Sequence, residues 1–109
     1  MRKCARFLLL LAVVPLPGVM AADKTRTDLE NEFNGKVRPF LETYCVTCHG
    51  REKPEADLDL SGVTTMAALL NDGPRWNLML ERVAAEEMPP AEAKRHPSAE
   101  ARRETVDWF

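Results

Sequence analysis

The sequence predicts an all-α fold built from roughly three to five short helices. Apolar residues recur at three- and four-residue intervals in several stretches, which is the spacing of one face of a helix. Glycine and proline are sparse inside those stretches and cluster between them, and no stretch alternates apolar and polar residues over a strand length. These observations indicate helices joined by loops rather than a sheet.

The first residues have the pattern of a secretory signal peptide. Arg2, Lys3 and Arg6 precede an apolar run at residues 7–14, and prolines and small residues follow it up to Ala21. The run is much shorter than the about 20 residues that span a bilayer, although an uncleaved membrane anchor is the alternative. We therefore predict a signal peptide at residues 1–21, export to the periplasm or beyond, and no stable membrane span in the mature chain.

Removal of residues 1–21 leaves 88 of the 109 residues, which is enough for one small domain at residues 22–109. The signal holds three basic residues and no acidic one, so its loss changes the net charge from −2 to −5. An acidic surface of this kind disfavours nucleic acid and anionic lipid as partners and suits a basic docking partner. A core this small is marginal, and domains of this size often need a disulfide, a metal or a cofactor.

The first mature helix is predicted to begin near Thr27, because Thr27 and Glu30 have the spacing of a capping box. Gly35 and Pro39 interrupt the apolar pattern that follows. We therefore expect a break near Gly35 and a second helix over residues 36–45, with Pro39 in its first turn. The predicted apolar face of these helices consists of Leu29, Phe33, Val37, Phe40, Leu41 and Tyr44.

Residues 50–62 are predicted to form a loop, and a short helix follows at residues 64–70. Pro74 suits the first turn of the next helix, which the prolines after Met88 end. Ser98 fits as the cap of the last helix. The apolar faces predicted for these two helices consist of Trp76, Met79, Leu80 and Val83, and of Ala101, Thr105, Trp108 and Phe109.

A five-residue motif carries the chemistry, since Cys45, Cys48 and His49 have the Cys-x-x-Cys-His spacing of a c-type haem attachment site. Two cysteines at this spacing project from about one helical turn, so their sulfurs can reach the two vinyl groups along one porphyrin edge. His49 then lies under the ring, where its imidazole can bind the iron. Its other nitrogen needs a hydrogen-bond partner, for which the backbone around Pro54 is the candidate.

Three non-haem alternatives compete for the cysteine pair. A disulfide between Cys45 and Cys48 closes so short a loop that it stabilises little. A thioredoxin-type dithiol needs a βαβ setting, which the pattern lacks. A zinc site would combine the two cysteines with His96 and a fourth ligand, and the histidine adjacent to Cys48 makes that ligation awkward. The observations favour haem over all three.

The sixth position of such an iron takes a methionine, a histidine or no protein ligand. Met88 precedes two prolines, which stiffen the backbone and can hold a weak thioether in place with little loss of entropy. Met66 and Met79 lie in apolar helical patterns, where filling the core is the favoured role. His96 is the competing ligand, in a charged loop that favours a solvated histidine. Ligation by Met88 suits electron transfer, whereas an open or switchable position suits a haem enzyme or sensor module.

These motifs together resemble the planctomycete-type cytochrome c domain and, more broadly, the small class I cytochromes c. The resemblance covers residues 33–109. Carried over position by position, it implies that Cys45 and Cys48 form the thioethers of one covalent haem c. His49 is then the proximal ligand and Met88 the distal ligand. The residues that carry the resemblance are Phe40-Leu41, Tyr44-Cys45-Val46, Cys48-His49-Gly50, Leu58, Leu60, Trp76, Glu87-Met88-Pro89-Pro90, Pro97-Ser98 and Trp108.

The resemblance also implies a context and a function. Domains of this type usually stand near the N terminus of longer secreted proteins, so we expect a fragment or truncated copy of such a protein. The expected role is electron transfer rather than catalysis, by a monomer that exchanges electrons with a redox partner protein or an attached redox domain. We expect the first and last helices to pack against each other, with Phe40, Tyr44 and Trp108 at their contact. The residues expected to line the haem pocket or the adjoining core are Leu58, Leu60, Trp76, Leu80 and Val83.

Overall fold

The computed structural model describes residues 24–52 and 54–109. In chain order its α-helices are α1 (Arg26–Glu32), α2 (Arg38–Tyr44), α3 (Met66–Leu70), α4 (Gly73–Ala84) and α5 (Ala99–Trp108). A π-helical turn, Phe33–Val37, joins α1 to α2, and a 3-10 turn, Glu55–Asp57, lies in the loop after α2. These residues contain no strand, which confirms the all-α prediction. No helix within them has the length and apolar character needed to cross a membrane. The predicted signal peptide lies outside the described residues.

The first helix begins with a capping box two residues before the predicted one. The Thr25 hydroxyl accepts a hydrogen bond from the Asp28 backbone N–H at 3.2 Å, and the Asp28 carboxylate accepts one from the Thr25 N–H at 3.1 Å. The prediction that Thr27 and Glu30 form the cap is therefore wrong. Thr25 has an extended backbone, which a cap requires, whereas Thr27 already lies in the first helical turn.

The predicted break near Gly35 is also wrong, because helical backbone runs through residues 26–44 without interruption. In a regular helix, Pro39 would lack a hydrogen bond and its ring would clash with the Gly35 carbonyl. The chain accommodates the proline by widening the preceding turn, where the Arg38 N–H donates to the Phe33 carbonyl five residues earlier. Pro39 lies in the first turn of α2, as predicted.

The core forms where this long helix meets the loop after it, α3 and α4. Phe33 and Val37, on the π-helical turn, are fully buried. Both residues belong to the helix face that the apolar periodicity predicted, and the residues in the middle of that face are buried. The buried cluster consists of Phe33, Val37, Leu41, Leu60, Leu69 and Trp76.

The last helix begins at the predicted cap, where the Ser98 hydroxyl accepts a hydrogen bond from the Ala101 N–H at 3.1 Å. At its other end, the Trp108 ring lies 6.4 Å from the Phe33 ring, centroid to centroid. The last helix therefore contacts the first helical segment through Trp108, as expected, but the ring that Trp108 meets is Phe33 rather than Phe40 or Tyr44. Those two rings contact each other, with centroids 5.0 Å apart. The C-terminal end of α5 thus contacts the first part of the long helix, and the second part of that helix lines a cavity.

Candidate functional site

The Cys-x-x-Cys-His motif forms a turn that continues directly from α2. The backbone N–H groups of Cys45 and Val46 both donate to the Leu41 carbonyl, at 2.9 and 3.0 Å. The N–H groups of Cys48 and His49 then both donate to the Cys45 carbonyl, at 3.2 and 2.8 Å. These bonds keep the motif in one helix-like turn, so the two cysteines lie about one turn apart, as the spacing predicts.

The chain leaves this turn through Gly50, and the geometry there requires a glycine. A Cβ atom at position 50 would lie 2.5 Å from the Val46 carbonyl oxygen, closer than real Cβ contacts come. The close approach lets the backbone turn back under the motif.

The His49 ring is oriented by the loop that follows. Its Nδ1 lies 2.9 Å from the backbone carbonyl oxygen of Glu55, so Nδ1–H donates to that carbonyl and leaves Nε2 free as a metal ligand. The Glu55 N–H donates to the Cys48 carbonyl at 2.9 Å, and the Leu60 N–H donates to the His49 carbonyl at 2.8 Å. The partner of Nδ1 was expected around Pro54, and the structure places it on the next residue.

Two consecutive residues in left-handed backbone conformations shape this loop. Ala56 has φ 55° and Asp57 has φ 56°. Left-handed backbone is unfavourable for residues with a side chain, by about 1–2 kcal/mol each. Strain of this kind collects at functional sites when the surrounding contacts enforce it. Here it accompanies the turn that brings the Glu55 carbonyl to His49.

The motif faces an apolar cavity of about 240 Å³. The second half of the long helix contributes one wall, and the loop after the motif and helix α4 contribute others. Arg82 brings a charged side chain to the lining. The apolar side chains of these three walls include Phe40 and Tyr44, then Leu58 and Leu60, then Leu78, Met79 and Val83.

The structure brings Cys45, Cys48, His49 and Met88 to this one cavity, although Met88 is far from the motif in sequence. Pro89 and Pro90 line it as well, and the Met88–Pro89 peptide bond is cis. The Met88 side chain is 38% exposed, so it borders the cavity without being enclosed. Of the other residues expected near the site, Leu58, Leu60 and Val83 line the cavity and Trp76 lies in the buried core, whereas Leu80 belongs to neither.

The competing ligands differ in their position. His96 is exposed, does not line the cavity, and its Nε2 lies 3.1 Å from the Ala93 carbonyl oxygen. Met66 packs against the core and does not line the cavity either. Met79 packs against the core as predicted, but it also lines the cavity. Sequence reasoning assigned Met79 to the core alone and missed this second contact.

Leu78 and Ala56 are further cavity residues that sequence reasoning missed. Leu78 is 55% exposed and lies beside the predicted apolar face of α4. The only indication in the sequence is that Leu78 is apolar and adjacent to Met79, although it lies outside the main periodic face. Ala56 carried no signal, because its place on the wall depends on the left-handed turn of the loop.

The two thiols differ in their surroundings. Burial in the apolar wall, reinforced by the neighbouring Cys48, raises the pKa of the Cys45 thiol to about 11. Cys48 is exposed, and neither cysteine forms a disulfide in the part of the chain that the structure describes. Within residues 24–52 and 54–109, no three His, Cys, Asp or Glu side chains gather as a metal-ion cluster.

The donor set of the cavity fits a c-type haem. Two thiols one turn apart suit attachment to one edge of a porphyrin, and the adjacent imidazole has its Nδ1 engaged and its Nε2 free. A thioether borders the same space, and the walls are mainly apolar.

Comparison with known proteins agrees with this arrangement. A sequence model of the family described as Planctomycete cytochrome C matches residues 45–92. The matched segment begins at the first cysteine of the motif and extends past Met88 and its two prolines. No curated protein and no solved structure matches the chain.

Proposed function

Because a family model described as Planctomycete cytochrome C matches residues 45–92, we propose that this chain transfers electrons through one covalently bound haem c with His49 and Met88 as axial ligands. Haem-based electron transfer, rather than catalysis, is the role that the cytochrome c family indicates. The single haem and the identity of its two ligands are the specific parts of the proposal. The observation that supports them is the meeting of the motif and Met88 at one apolar cavity.

Each of the four residues has a separate task in this proposal. Cys45 and Cys48 hold the group through two thioether bonds. His49 would bind the iron through Nε2, because its Nδ1 is committed to the Glu55 carbonyl. Met88 would supply the second ligand through its thioether sulfur, a type of ligand that raises the reduction potential. When bound, haem c supplies reversible one-electron exchange at its iron.

The cavity walls would shield the bound group from much of the surrounding water. Apolar side chains from α2, the loop and α4 form these walls, and such surroundings favour the iron state of lower charge. The Tyr44 ring is part of this wall and packs against the Phe40 ring. A fully occupied sixth position leaves little room for a substrate, which is why electron transfer is favoured over a haem enzyme or sensor.

We also propose that the protein is exported and acts as a monomer with a redox partner protein or an attached redox domain. The support for export is the signal-like pattern of residues 1–21, together with a type of cofactor that is attached outside the cytoplasm. The support for a basic docking surface on the partner is the net charge of −5 that removal of the signal leaves.

The first test is the mass and visible spectrum of protein secreted from a host that matures c-type cytochromes. The proposal expects a mass increase of one haem, a c-type reduced spectrum, and the weak far-red ferric band of methionine–iron ligation. A mass without haem would contradict the whole proposal and return the cysteine pair to a disulfide. A high-spin haem that readily binds carbon monoxide would contradict the sixth ligand and favour catalysis or sensing.

The second test determines which of the three methionines binds the iron. Met88→Leu, Met79→Leu and Met66→Leu each remove a thioether while nearly conserving volume. The proposal expects only Met88→Leu to abolish the far-red band and lower the reduction potential. Met79→Leu is the critical control, because Met79 lines the same cavity, and Met66→Leu controls for a change in the core. Loss of the band in Met79→Leu instead would transfer the ligand role to Met79.

A further inference from the structure

A charged side chain from the last helix reaches the segment that carries Met88. Arg102 lies on α5 and is partly buried. Its Nη1 donates hydrogen bonds to the backbone carbonyl oxygens of Val83 and Met88, both at 2.7 Å. No carboxylate among residues 24–52 and 54–109 forms an ion pair with Arg102, so its charge is directed at these two carbonyls.

The other side of Met88 is tied to helix α4. The Met88 backbone N–H donates to the Arg82 carbonyl at 3.2 Å, and the Glu87 N–H donates to the same oxygen at 3.0 Å. The side chains of Arg82 and Glu87 also form an ion pair. The N–H of Met88 is thus fixed by α4 and its carbonyl by α5, through Arg102.

This backbone attachment matters because a thioether is a weak ligand on a flexible side chain. The Met88 side chain borders the cavity without being enclosed by its walls. Holding the backbone of such a residue narrows the orientations that its side chain can adopt. Hydrogen bonds from a charged donor are among the strongest that could do so.

We infer that Arg102 is a positioning residue, which holds the Met88 carbonyl so that the thioether of Met88 is presented to the cavity as a ligand. The inference rests on the proposed ligation by Met88 and adds the element that maintains it. The inference gives α5 a function at the redox site. The helix would perform it through the Arg102 side chain, which contacts the backbone of the Met88 segment.

The test measures how easily an external ligand displaces Met88 from the ferric haem of the full holoprotein. Imidazole is the probe, and its apparent affinity rises when the methionine is held less firmly. Loss of hydrogen bonds from a charged donor should raise that affinity in Arg102→Ala by about tenfold to hundredfold. Arg102→Lys keeps a charged donor and should restore part of the effect. Arg103→Ala, at an exposed neighbouring position, should stay within about twofold of wild type.

A second background separates positioning from a general loss of structure. In Met88→Leu no thioether remains to be positioned, so adding Arg102→Ala should leave imidazole affinity unchanged. An equal rise in both backgrounds would overturn the inference, because the effect would then not pass through Met88. Should Arg102→Ala not accumulate as holoprotein, Arg102→Gln against Arg102→Lys gives the same comparison.

The remaining outcomes also decide between the two proposals. If Met88→Leu raises imidazole affinity and Arg102→Ala does not, ligation by Met88 stands and the role of Arg102 is refuted. If Met88→Leu leaves the affinity and the far-red band unchanged, ligation by Met88 is refuted and the positioning role falls with it.

Discussion

The Nδ1 atom of His49 lies 2.9 Å from the backbone carbonyl oxygen of Glu55. This hydrogen bond spans the loop between the motif and Glu55. A second hydrogen bond, from the Glu55 N–H to the Cys48 carbonyl, closes the same loop. The ring of the proposed proximal ligand is therefore oriented by the backbone rather than by another side chain. Its orientation depends on the conformation of the loop and not on the chemistry of the residue at position 55.

This dependence predicts opposite results for two neighbouring positions. Glu55→Ala keeps the carbonyl and should leave the reduction potential unchanged. Ala56→Pro cannot adopt the φ of 55° found there and should displace that carbonyl, lowering both the potential and the yield of holoprotein. Ala56→Gly is the matched control, since glycine adopts this φ freely, and it should add up to about 1 kcal/mol of stability. A shifted potential in Glu55→Ala would show that the side chain takes part.

The exit from the motif predicts a specific requirement for glycine. Gly50→Ala places a Cβ 2.5 Å from the Val46 carbonyl oxygen and should destabilise the holoprotein by about 1–3 kcal/mol. Gly35→Ala meets nothing within 4 Å and should be neutral or stabilising by up to about 1 kcal/mol. Urea unfolding followed by circular dichroism measures both. Equal stability of the two variants would contradict the close approach at Gly50.

The π-helical turn predicts a large effect of truncating its buried ring. Phe33 is fully buried at the centre of the core, so Phe33→Ala should reduce the free energy of unfolding by about 3–5 kcal/mol. Leu70→Ala, at a side chain that is 68% exposed, should change it by less than about 0.5 kcal/mol. Chemical denaturation of both holoproteins measures the two free energies of unfolding. A small loss of stability in Phe33→Ala would show that Phe33 is not at the centre of the core.

Helices α1 and α5 are joined by a carboxylate, and this predicts a pH dependence of stability. Hydrogen bonds from Lys24 and then from the Trp108 indole hold the pKa of Glu32 below its ordinary value. A lowered carboxyl pKa stabilises the fold at neutral pH, and the contribution is lost as pH falls through that lowered pKa. The Tm should therefore fall on acidification, and less steeply in Glu32→Gln than in wild type. Glu104→Gln, at an exposed position, is the control and should follow wild type.

The apolar cavity predicts that the chain depends on its cofactor to fold. The 88 residues that the predicted signal cleavage would leave can form only a small core, and side chains of α2 and α4 that line the cavity would face water without the proposed haem. Protein made without haem maturation should show weak, non-cooperative thermal unfolding by circular dichroism. A cooperative transition near that of the holoprotein would contradict this dependence. Cys45→Ala/Cys48→Ala, made in the maturation host, tests whether covalent attachment is needed.

Local signals in the sequence predicted much of the helical framework. Apolar periodicity marked the buried face at Phe33 and Val37, and the serine before the last helix marked its cap. The errors arose where backbone geometry decided the outcome. The capping box lies at Thr25, which the sequence analysis did not consider, and Gly35 with Pro39 suggested a break that a widened turn avoids. Both choices depend on backbone geometry that residue types do not specify.

The sequence by itself determined the chemistry of this protein, because the Cys-x-x-Cys-His spacing sets two thiols and an imidazole on one turn wherever that turn lies. Only the tertiary structure decided which distant groups join them. It brings Met88 and Met79 to the same cavity, excludes His96 from it, and directs Arg102 to the Met88 carbonyl. The two prolines after Met88 made it the candidate ligand, but only the tertiary packing places it at the same cavity as the motif. The placement of Met79 and the contact of Arg102 depend on residues far apart in the chain, so no local pattern predicts them.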